Sequence, residues 1–140
     1  MNNILSVLTG AFIAVMITFN GELGSRTGNY LSSVIIHIVG LMVIIGILII
    51  TKSKLKIDKE VPIYMYSAGA IGVFTVLFNN ITFSTLGVSL TIALGLFGQS
   101  MASIVIDHYG LLGMKVIKFN PNKLVGLVLI ILGIIVMAIF

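Results

Sequence analysis

Five apolar stretches, at about 3–20, 30–51, 62–80, 85–106 and 122–140, occupy nearly the whole chain. The only long charged interval among them is Lys52-Ser53-Lys54-Leu55-Lys56-Ile57-Asp58-Lys59-Glu60. A membrane helix needs roughly 20 apolar residues to cross the hydrocarbon, and each stretch meets or nearly meets that length. With 59% hydrophobic and 9% charged residues and a mean hydropathy of +1.23, no compact water-soluble core could hide the apolar surface. Backbone groups in lipid must be satisfied internally, which selects helices, and the runs lack the alternation of a barrel strand. The expected fold class is an all-α integral membrane protein: a five-transmembrane-helix bundle, one membrane domain over residues 1–140. Short connectors leave no room for a soluble catalytic or nucleotide-binding domain.

The first stretch has no basic n-region and too long an apolar run for a signal core, so it reads as retained. The absence of cysteine excludes disulfides, thiolate metal sites and cysteine nucleophiles. The net charge of +4 is a topology signal. It does not point to nucleic acid, because the basic residues flank membrane segments and no aromatic-rich basic domain accompanies them. With five crossings, Lys52, Lys54, Lys56, Lys59, Lys115, Lys118 and Lys123 fall on one side and Arg26 alone on the other. The positive-inside rule then predicts a cytoplasmic N-terminus and an extracytoplasmic C-terminus. Tyr30, Tyr64, Tyr66 and Tyr109 fall near the expected helix ends, where a ring with a polar tip is favoured.

Small and polar residues recur at helical spacing. Ala68, Gly72, Thr75 and Asn79 share one face of the third stretch, and Gly69 joins Gly72 in a packing pattern that is not a phosphate loop. Thr91, Gly95, Gly98 and Ala102 share a face of the fourth, with Gln99, Ser103 and Asp107 on an adjoining stripe. Ser33, His37 and Gly40 form a shorter face on the second, and Ser6 and Gly10 begin one on the first. The fifth stretch is aliphatic apart from Gly126 and Gly133, which suits a lipid-facing or dimer-forming helix.

For glycine, alanine and serine, helix packing is the ordinary explanation. Polar side chains at depth are more often functional or paired. His37 fits either a helix-to-helix hydrogen bond or a substrate or proton role, since imidazole changes charge near neutrality. Gln99 has the same two readings without a charge to move. Asn79 and Asn80 near a helix end suit a cap or a solvated end. Glu22 and Asp107 lie near opposite surfaces, cannot form a dyad within one subunit, and suit carboxylates anchored beside Arg26 or His108. No Walker loop, HExxH, serine elbow or metal-ligand spacing occurs. No catalytic residue, metal site or cofactor is expected, and an enzyme is disfavoured.

The run Gly98-Gln99-Ser100-Met101-Ala102-Ser103, followed by Asp107-His108-Tyr109-Gly110-Leu111-Leu112-Gly113, resembles the signature of the YdcZ-type half-length proteins of the drug/metabolite transporter (EamA-like) superfamily. Asn20-Gly21-Glu22-Leu23-Gly24 is similar to an element after the first helix, and Leu86-Gly87-Val88 to one before the fourth. His37 stands where the family suggests an aromatic or small apolar residue. The resemblance implies half of an antiparallel, inverted-repeat-like dimeric transporter in the bacterial inner membrane, exporting a small polar or amphiphilic solute. It implies that helices 1 to 4 line the path and helix 5 holds the dimer, and it puts Asn20, Gln99, Ser103 and Asp107 at matching positions. The lysine asymmetry favours a single orientation, hence a heterodimer with a separate, oppositely oriented homologous chain, although a homodimer is possible. Alternating access is the leading mechanism. A small dimeric ion channel and a non-transporting membrane assembly subunit are the alternatives.

Overall fold

The computed structural model describes residues 2–54, 61–118 and 120–139. Lys56, Asp58, Lys59 and Glu60 of the charged interval, and Phe140 at the end of the fifth stretch, lie outside the described residues. Among those described there are four α-helices: α1 (Asn2–Thr27), α2 (Asn29–Ile50), α3 (Ala68–Tyr109) and α4 (Asn122–Ile139). Single 3₁₀ segments lie at Ile63–Ser67 and Leu111–Gly113.

Among the described residues, three helical stretches are long and apolar enough to cross a membrane: Asn3–Thr27, Asn29–Ile50 and Ile63–Tyr109. This corrects the expected five-transmembrane-helix bundle, and with it the antiparallel half-transporter built on five spans. Two physical reasons account for the difference. The apolar part of α4, Lys123–Ile139, is too short; the 18 residues of α4 extend about 27 Å against a hydrocarbon core of about 30 Å. The third and fourth apolar stretches are also not separated by a loop, because residues 81–84 are helical and belong to the 42-residue α3.

The backbone leaves helical geometry within α3 at a single residue, Gly87, with φ 72° and ψ −179°. That conformation is essentially restricted to glycine. The Thr82-Phe83-Ser84-Thr85 run before it bonds back onto the helix through its hydroxyls. Thr82 Oγ1 donates to Phe78 O at 2.8 Å, Ser84 Oγ to Ile81 O at 2.8 Å and Thr85 Oγ1 to Thr82 O at 3.0 Å. After the break, Thr91 Oγ1 donates to Gly87 O at 2.7 Å. Hydroxyls on either side of the break thus bond back onto carbonyls of the helix.

The chain divides into two compact units, Met1–Thr85 and Leu86–Phe140. In the first, α1 and α2 pack against each other and are joined by one non-helical residue, Gly28, at φ 87° and ψ 145°. The Gly28 N–H donates to Gly24 O at 2.8 Å, and its carbonyl accepts from the Ser32 N–H at 3.0 Å, so both backbone groups of the link are used. α1 runs through Asn20–Gly24, past the end expected at residue 20. Its last turns are tied by an i,i+4 ion pair, Arg26 Nε to Glu22 Oε1 at 2.7 Å, and by the Thr27 hydroxyl on Leu23 O. In the second unit, residues 88–109 of α3 lead through the Leu111–Gly113 turn to α4. The Ile117 N–H donates to Asp107 O at 2.8 Å, folding the link back onto the end of α3.

Burial is inverted relative to a water-soluble protein. Among the described residues the buried side chains include Ser32, Ser33, Asn80 and Thr91, and the buried hydrophobic ones are Ile17 and Leu127 alone. Ile50 and Ile63 are more than four-fifths exposed. Apolar surface that water would drive inward instead faces outward, where hydrocarbon receives it without penalty.

Candidate functional site

Helical spacing places Gln99, Ser103 and Asp107 four residues apart along α3, so they stack on one face. In the second unit this face borders a cleft of about 460 Å³ whose other wall is α4. Leu96, Ile104, Leu127 and Ile130 line it with apolar surface, and Gln99, Ser103 and Lys123 supply the polar groups. Ser100 also reaches the cleft, but its hydroxyl is committed to Leu96 O at 2.7 Å. The Gln99 amide and the Ser103 hydroxyl have no hydrogen-bond partner among the described residues. Lys123 Nζ lies 3.7 Å from Asp107 Oδ2, so one charge pair stands at the cleft, joining α3 to α4. Asp107 is thus paired across the link by Lys123, one of the basic residues that flank the membrane segments.

This arrangement is suited to binding a small molecule. An amide and a hydroxyl both donate and accept, the lysine holds a positive charge, and aliphatic walls take an apolar body. That combination of mostly apolar lining and a few polar groups is typical of small-molecule sites. Among the described residues no three His, Asp or Glu side chains come together as a metal site.

The remaining sequence candidates lie in the first unit. His37 is half-buried and lines a second cleft of about 320 Å³ with Ser33, Val34, Ile38, Leu41 and Val73. Its Nδ1 is 2.7 Å from Ser33 O. A carbonyl only accepts, so Nδ1 carries the proton, and the bond stays within α2. Asn20 and Asn79 are half-buried, and Glu22 is exposed in its pair with Arg26. The buried amide is that of Asn80, next to Asn79. Asn80 Nδ2 donates to Ser32 Oγ at 3.0 Å, and Ser32 Oγ donates to Asn29 O at 3.0 Å, linking α3 to the start of α2. Periodicity did not single out this cluster; the signal for it was two adjacent asparagines and a Ser-Ser pair in apolar stretches.

A Cβ added at Gly10, Gly40, Gly69, Gly72, Gly95, Gly98, Gly126 or Gly133 meets no atom within 4 Å. Close approach within the chain occurs instead at Gly21, where the Phe83 ring occupies the place of a side chain, at Gly24, against Asn29, Ser32 and Asn80, and at Gly110, against Val116 and Met114. Gly126 also lines the larger cleft.

A family model described as "Putative inner membrane exporter, YdcZ" matches residues 1–136 of the chain. Neither a curated protein nor a solved structure gives a significant match.

Proposed function

We propose that this chain, which belongs to the YdcZ family of the drug/metabolite transporter superfamily, exports a small polar or amphiphilic solute by alternating access, as a dimer with a homologous chain. The protein is a multi-pass inner-membrane protein of a transporter family and not an enzyme. The observation that carries the proposal is the cleft of the second unit, where uncommitted Gln99 and Ser103 groups face aliphatic walls beside Lys123. Glycines without a neighbour in their own chain, Gly126 and Gly133 on α4 among them, leave faces on which a second subunit can approach closely.

The seven-to-one count of basic residues presupposes five crossings and falls with them. The α1–α2 hairpin carries its own charge signal, because Arg26 at the turn is neutralised by Glu22, whereas Lys52 and Lys54 follow the other end of α2 unopposed by a described acid. On that signal the N-terminus is cytoplasmic and the turn lies outside.

The test is efflux from cells loaded with a panel of amphiphilic solutes, or uptake of those solutes into inverted vesicles. For a transported solute, Gln99→Leu or Ser103→Ala lowers flux by about two- to tenfold, the worth of one net hydrogen bond, while the amount of protein in the membrane stays constant. Unchanged flux in the double variant would remove the cleft from the path.

A further inference from the structure

We infer that the buried oxygens of Asn29, Ser33 and Asn80 in the first unit form a site for a monovalent cation of sodium size. Asn80 is 1% exposed and Ser33 6%. Asn80 turns the donor side of its amide to Ser32, whose own proton goes to Asn29 O. Three oxygens are left buried and without a hydrogen-bond partner: Asn80 Oδ1, Asn29 Oδ1 and Ser33 Oγ.

Asn29, Ser32 and Asn80 meet at Gly24, and Ser33 follows Asn29 by one helical turn on the same face of α2. A Cβ built on Gly24 of α1 would lie 3.0 Å from Asn29 Oδ1, 3.4 Å from Asn80 Cβ and 3.4 Å from Ser32 Oγ. Oxygen-bearing side chains of α2 and α3 therefore meet over a bare stretch of α1 backbone. Buried acceptors without donors are unfavourable in a low-dielectric interior, and a cation satisfies several at once.

The donor set selects the ion. Two amide oxygens and a hydroxyl are hard and neutral, which suits an alkali cation; a divalent ion would call for carboxylates. The nearest acid in sequence, Glu22, is exposed and committed to Arg26. The oxygens are also closed to a water-sized sphere, and a dehydrated sodium ion is smaller than a water molecule. Ser33 additionally holds the His37 ring through its carbonyl, so the cation site and the smaller cleft share a residue. The site itself does not depend on the export reading, because binding is read on the protein alone.

The experiment is thermal melting of the purified full chain in detergent, titrated with sodium, potassium or choline chloride at constant ionic strength. Sodium is expected to raise the melting temperature saturably and choline not to. Asn29→Ala is expected to weaken the apparent sodium affinity at least tenfold. Asn80→Leu should abolish the saturable shift, and Asn80→Asp, which keeps an oxygen at the position, should retain it and so controls for misfolding. The site is overturned if sodium and choline behave alike in the unaltered chain, or if the sodium shift survives in both Asn29→Ala and Asn80→Leu. An equal response to potassium would overturn the size assignment.

Discussion

Asn79 and Asn80 are chemically identical neighbours on α3, yet Asn80 is 1% exposed and Asn79 half-buried. Consecutive residues of a helix point about 100° apart, so the register of α3 against α2 decides which amide enters the interior. The pair is legible in the sequence as polar groups in an apolar stretch; the choice between them is not, because it depends on Ser32, 48 positions away. Gly21 teaches the same lesson. It is visible within Asn20-Gly21-Glu22-Leu23-Gly24, but its partner Phe83 is known only from the fold. Gly21→Val is expected to destabilise the protein by about 1–3 kcal/mol through overpacking, measured by thermal melting in detergent. Phe83→Ala in the same background should recover part of that loss, since contacting residues are not additive. Strict additivity of the two changes would mean that ring and glycine do not touch.

At the scale of elements, α3 shows what hydropathy can and cannot deliver. Composition makes residues 62–80 and 85–106 apolar, and the few hydroxyls between them suggest a connector. The structure keeps the helix running: those hydroxyls bond backward to carbonyls at i−3 and i−4 within it, and the break falls on one residue. The resemblance to a family picks out Leu86-Gly87-Val88 without giving a reason for the glycine; a φ of 72° with ψ near 180° supplies it. Gly87→Ala is predicted to cost about 1–3 kcal/mol, read as a lowered melting temperature with unchanged helix content. Melting like that of the unaltered chain would show that position 87 does not need glycine. α4 is aliphatic, as its hydropathy suggests, but its described apolar part, Lys123–Ile139, is shorter than a span.

For the whole molecule, the all-helical membrane class was legible from composition alone, and the exposure of Ile50 and Ile63 over an interior of Ser32, Ser33 and Asn80 is its physical counterpart. Orientation is a property at this scale too, and the lack of native cysteine makes it simple to read. In intact cells an impermeant maleimide is expected to label Ser25→Cys at the α1–α2 turn, and Lys54→Cys only after permeabilisation. Labelling of both positions in intact cells would show that the chain inserts both ways.

The link between α1 and α2 is a single residue, Gly28, whose backbone groups are both bonded to the adjoining helices. Such a join does not allow α1 to settle across the bilayer while α2 is still in water, so the two helices enter as a hairpin. What the hairpin drags through the hydrocarbon at its tip is Glu22 with Arg26, held at 2.7 Å. Their charges cancel, and translocation meets a dipole where it would otherwise meet an ion. The pair that contributes little to a finished, exposed surface thereby lowers the barrier to reaching it.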